Sequence, residues 1–157
     1  MTDIQNDEIK RKEGRDMAKE EITPSEWQIM EVLWAYGEPL TSSEVYKRMQ
    51  RNVGMSMRMV RVLMNRLNQK DILGYTVDEH DSRVYHYYVQ RSREECVKEK
   101  SRKFVDSYFS GNGTNAMAAL LQSFALTDEQ IKELEEILEK AGSGGTESTD
   151  KEGEPHA

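Results

Sequence analysis

The chain has 157 residues and a net charge of −7, with 36 % hydrophobic and 32 % charged residues, which is about one domain plus an appendage, part of it solvated tail. Its single cysteine, Cys96, rules out an internal disulfide and a thiolate zinc site and fits a reducing compartment. The charged start Met1–Glu21 does not resemble a signal peptide, and no apolar run approaches the roughly 20 residues of a bilayer span, so a cytoplasmic protein without membrane contact is expected.

The S/T-x-x-E/Q capping box, which satisfies the free amides of a helix start, recurs four times. Thr23-Pro24-Ser25-Glu26 opens a first helix over 24–36, with Pro in the favoured first position, Trp27, Met30 and Trp34 as the expected inward stripe, and Gly37 as the stop. Thr41-Ser42-Ser43-Glu44 opens a short second helix with Val45, Tyr46 and Met49, stapled by Leu40 and ending near Arg51. Asn52-Val53-Gly54-Met55 reads as a turn, after which Ser56 caps a third helix running to about Lys70. Tyr75–Val77 and Val84–Val89, rich in β-branched and aromatic residues, read as a hairpin around the polar connection Asp78–Ser82.

Ser92-Arg93-Glu94-Glu95 starts a long helix with Val97, Phe104 and Tyr108 on one face, broken at Gly111-Asn112-Gly113. Asn115 is expected to cap the next helix, with Met117, Leu120, Leu121 and Phe124, and Thr127-Asp128-Glu129-Gln130 the last, with Ile131, Leu134 and Leu138. The expected fold is mainly α with a small β-hairpin: three short helices and a hairpin are the order of a winged helix-turn-helix, followed by a helical C-terminal domain. The expected organisation is a disordered charged extension over 1–21, a winged-helix DNA-binding domain over 22–91, a helical dimerisation domain over 92–141 and a disordered tail over 142–157.

The third helix points to double-stranded DNA. At about 100° per residue, Val60, Leu63, Met64 and Leu67 gather on one side, and Arg58, Arg61, Val62, Asn65, Arg66 and Gln69 on the other. Arg bonds bidentately to guanine, Asn or Gln to adenine, and an aliphatic group such as Val62 touches a thymine methyl, so these six are the candidate base readers. Charge segregation agrees: 1–43 carries −5 and 104–157 carries −8, whereas 44–103 carries +6, the footprint of a phosphate-binding face. Lys47, Arg48, Arg51 and Ser56, with Arg83 at the hairpin turn, are the candidate backbone or minor-groove contacts.

These residues resemble the penicillinase repressors, a family that includes β-lactamase and methicillin-resistance repressors and a copper-responsive branch. The resemblance runs over about 22–139 and is carried by Thr23-Pro24-Ser25-Glu26-Trp27-Gln28-Ile29-Met30, by Val60–Leu67 with Asn65-Arg66-Leu67, and by Gln130-Ile131-Lys132-Glu133-Leu134. It implies a dimeric repressor on a dyad-symmetric operator, controlling β-lactam-resistance or copper-homeostasis genes. Two threonines usual in the family's recognition helix are Met59 and Val62 here, so the cognate operator is expected to differ. The Asn-Phe bond that a regulatory protease cuts on induction in the β-lactam branch corresponds to Ser123-Phe124, a half match. The paired Cys-x-Cys motifs of the copper branch are missing, which excludes thiolate copper sensing in the tail.

Ile131, Leu134 and Leu138 form a narrow apolar seam on an acidic helix, which a second copy would cover. With Leu120, Leu121, Phe124, Phe104 and Tyr108 they are the candidate homodimer interface. An enzyme is not expected: there is no nucleophile with a base, metal set or carboxylate pair, and His80 and His86 beside Asp78 and Asp81 read as solvated turn residues. No cofactor or metal is implied. The alternative is a winged-helix protein-interaction module without sequence-specific DNA binding, for which Met59 and Val62 are the motivating residues.

Overall fold

A computed structural model describes residues 21–49 and 54–143. Arg51, most of the expected N-terminal extension and the tail beyond Ser143 lie outside the described residues. The described residues form six helices and one two-stranded sheet: α1 (Pro24–Tyr36), α2 (Ser42–Met49), α3 (Met57–Gln69), β1 (Leu73–Val77), β2 (Tyr85–Val89), α4 (Arg93–Phe109), α5 (Gly113–Ser123) and α6 (Asp128–Ser143). The chain divides into two compact units, one through Lys103 and one from Phe104.

In the first unit, α1 to α3 and the hairpin make a winged helix. Thr23 Oγ1 accepts the Glu26 amide at 3.2 Å, Pro24 occupies the first turn, and Gly37, at φ 76°, ends α1 by donating to the Leu33 carbonyl at 3.1 Å. The buried stripe of α1 differs from the expected one. Ile29, Met30 and Leu33 are fully buried, whereas Trp27 and Trp34 pack edge-to-face at the rim, ring centroids 5.2 Å apart. Indole N–H groups need acceptors: Trp27 donates to Glu31 at 2.9 Å and Trp34 to the Arg91 carbonyl at 3.0 Å.

At α2 the capping box is reciprocal, with Glu44 N–H donating to Thr41 Oγ1 at 3.2 Å and Thr41 N–H to Glu44 Oε2 at 3.3 Å. The expected staple, Leu40, is buried and is also a one-residue strand, exchanging backbone hydrogen bonds of 3.0 and 2.9 Å with Tyr87. It thereby ties the hairpin to the helices. The hairpin is antiparallel, pairing Leu73 with Val89, Tyr75 with Tyr87 and Val77 with Tyr85. β1 begins two residues earlier than the sequence suggests, because Leu73 is a core residue and Gly74 is also buried. Val84 is excluded from β2; its amide closes the turn onto the Asp81 carbonyl at 3.0 Å.

One apolar cluster unites this unit. Ile29, Met30 and Leu33 of α1, Val45 and Met49 of α2, Val60, Leu63, Met64 and Leu67 of α3, and Ile72, Leu73 and Tyr87 are all buried in it. Cys96 joins from α4, and burial pushes its thiol pKa up.

The second unit is thinly packed by comparison. Asn112, rather than the expected Asn115, caps α5: its side chain accepts the Asn115 amide at 3.0 Å, because Gly113 already adopts helical geometry. Thr127 and Gln130 form the reciprocal box at α6, at 3.0 and 3.2 Å. Among the described residues of this unit only Ala116 is buried.

Candidate nucleic-acid interface

The candidate interface is centred on α3. Ser56 Oγ accepts the Met59 amide at 3.1 Å and fixes the first turn, while its hydroxyl hydrogen stays available to a phosphate. Val60, Leu63, Met64 and Leu67 bind the helix to the core, as the periodicity requires. Arg58, Arg61, Val62, Asn65, Arg66 and Gln69 are all exposed on the opposite side. None of the five polar side chains makes a hydrogen bond or ion pair among the described residues, so they are available to an outside partner.

A groove of about 640 Å³ runs between the start of α2, α3 and the hairpin, bringing Arg61 and Arg83 together with Thr41, Ser42, Ser43 and Tyr85. The sequence by itself does not mark the Thr41–Ser43 hydroxyls or Tyr85 as contact groups. The first group reads there only as a helix cap, and Tyr85 only as a strand residue. On the hairpin, Tyr75 stacks on Tyr85 with centroids 4.6 Å apart.

Arg83 protrudes from the hairpin turn, its side chain 87 % exposed, and holds Asp81 through both carboxylate oxygens at 3.0 and 3.1 Å. That contact lowers the Asp81 pKa and raises that of Arg83. A carboxylate thus already occupies the guanidinium fork that a phosphate would take. At the base of the turn, Asp78 binds His86 Nε2 at 2.8 Å and accepts the amides of His80 and Asp81 at 2.8 and 3.1 Å. The His86 contact is the largest cause of a lowered Asp78 pKa. Among the described residues no group of three or more His, Cys, Asp or Glu could hold a metal.

Lys47 and Arg48 stand elsewhere. They line an open concavity between α1 and α2 with Glu31, Val32 and Tyr36, and the Arg48 guanidinium lies 3.9 Å above the Tyr36 ring. The structure therefore does not place them in the groove that holds Arg61 and Arg83.

In the second unit Phe104, Tyr108, Leu120, Leu121, Phe124, Ile131 and Leu138 are exposed, Tyr108 by 76 %, and Leu134 is half-buried. Ile137, absent from the expected seam, is as exposed as Leu138. The Ser123–Phe124 bond lies where α5 ends: Phe124 leaves the helix with extended backbone and an exposed ring.

The penicillinase repressor family profile matches residues 22–140. The methicillin resistance regulatory protein MecI of Staphylococcus aureus (strain N315) is 22 % identical over 120 residues, spanning 76 % of this chain and 94 % of the relative. The penicillinase repressor of Bacillus licheniformis is 24 % identical over 120 residues, spanning 76 % and 91 %. The solution structure of the DNA-binding domain of the repressor BlaI aligns with a TM-score of 0.42 at 21 % identity, covering 48 % of this chain and 88 % of that one. No described helix is long and apolar enough to cross a membrane. With the profile matching from the residue before the α1 cap to within α6, the chain belongs to the penicillinase repressor family, whose members are transcriptional repressors and not enzymes.

Proposed function

We propose that this chain is a dimeric, sequence-specific repressor that lays α3 in the major groove of a dyad-symmetric operator. One observation carries the reading. The apolar side of α3 is consumed entirely by the core, and its opposite side displays Arg58, Arg61, Asn65, Arg66 and Gln69 around Val62, a set able to read base edges. Arg83, Ser56 and the groove hydroxyls supply backbone contacts, and residues 22–91 act as the reading head.

The exposed apolar residues of 92–141 support a two-fold partner. Tyr108, Met117, Phe124, Ile137 and Leu138 are large apolar side chains left open to solvent, which a second copy would cover. Two linked heads then address two half-sites. The exposed Ser123–Phe124 junction supports cleavage by a regulatory protease as the release step. MecI and the penicillinase repressor make promoters of β-lactam-resistance genes the first to test.

The test is fluorescence anisotropy of labelled duplex over a salt series. Affinity should fall steeply with salt as phosphate contacts release counterions. Failure to bind promoter fragments or random duplex at low salt overturns the reading in favour of a protein-interaction module.

A further inference from the structure

Resting on the operator reading above, we propose that Met59 and Val62 are a methyl-reading pair, which makes recognition depend on the C5 methyl groups of particular thymines. Both side chains are large, apolar and open to solvent, Met59 by 44 % and Val62 by 43 %. Neither belongs to the core, which Val60, Leu63, Met64 and Leu67 complete from the other side of α3. Their exposure therefore has no packing explanation.

They are three residues apart, so their Cβ atoms are neighbours about 5–6 Å apart on the helix surface. That distance matches one to two base steps of about 3.4 Å along a strand. The thymine methyl is the one apolar group that base edges present in the major groove. Val62 is stiff at χ1 and sits among the polar readers, which suits a fixed contact. Met59 lies in the first turn, where Ser56 holds its amide at 3.1 Å, and its flexible thioether adapts to a neighbouring methyl. Arg58, Arg61 and Asn65 have hydrogen-bonding edges to read, whereas these two gain only by covering a methyl group.

Duplexes selected by the full chain from a randomised thymine-containing library would be scanned with deoxyuridine, one thymine at a time. Each replacement removes a methyl and leaves every hydrogen-bonding group in place. One or two positions should weaken binding about fourfold, the effect of one methyl-sized group of burial. The penalty at each should vanish in the variant lacking its partner, Met59→Ala or Val62→Ala. A converged site indifferent to deoxyuridine at every position, or penalties unchanged in both variants, overturns this inference and leaves the operator reading intact. Selection that enriches no sequence, with no duplex bound at low salt, overturns both.

Discussion

Lys70, which closes α3, binds Glu26 in the first turn of α1 through both carboxylate oxygens, at 2.9 and 2.8 Å. Its ammonium also donates to the Glu21 carbonyl at 2.7 Å, so three acceptors match its three donors. The Glu26 side chain is 1 % exposed and that of Lys70 13 %. A pair this deep is costly to break from one side, because the survivor is left charged and uncompensated. Glu26→Ala should cost about 3–5 kcal/mol in urea unfolding, and the double change Glu26→Leu with Lys70→Leu should recover most of it. A single-variant loss under about 1 kcal/mol would mean that water solvates the pair.

The hairpin turn should respond to acid in a defined direction. His86 holds the Asp78 carboxyl below its usual range, and Arg83 does the same for Asp81. The stabilisation from both is complete above the unfolded aspartate value of about 3.9 and is lost as pH falls through the lower folded values. Amide exchange at His80, Asp81 and Val84, corrected for intrinsic rates, should therefore stay protected to pH values below the ordinary aspartate range. Asp78→Asn should abolish that acid dependence at His80. Protection lost already near pH 5 would contradict the Asp78 geometry.

If Arg83 meets the duplex backbone as proposed, Asp81 competes with phosphate for it, which yields a pair of opposed expectations. Asp81→Asn should strengthen duplex binding at low salt, since the fork no longer has to exchange a carboxylate. Arg83→Ala should weaken binding across all sequences and reduce the slope of log K against log salt by about 1. An Arg83→Ala effect confined to particular bases would make this residue a base reader instead.

Leu138→Asp tests the proposed two-fold interface with little risk to the fold, because Leu138 is 62 % exposed within one chain. Sedimentation should show monomers, and operator affinity should fall about 10²-fold or more as the second head loses its tether. A variant that still sediments as a dimer would place the interface elsewhere.

The sequence alone determined what depends on neighbours three or four positions apart. Thr23, Thr41, Ser56 and Thr127 cap where their motifs say, and the Val60–Leu67 stripe is buried, because capping and helical periodicity are local properties. The exposed face of α3 follows from that same period, so the proposed base readers are legible in the sequence. The family resemblance stood on the same short stretches.

Only the tertiary structure decided which distant groups meet. Glu26 carries a capping-box signature, yet its carboxylate turns inward to Lys70, 44 positions away, where the core leaves a cation to be satisfied. Leu40 reads as a staple and proves also to be a strand, because the hairpin needs a partner for the Tyr87 backbone. Arg61 and Arg83 share one groove while Lys47 and Arg48 face another, a division that their common charge conceals. Spacing along the chain records local geometry; it does not record which surfaces the packed core turns towards each other.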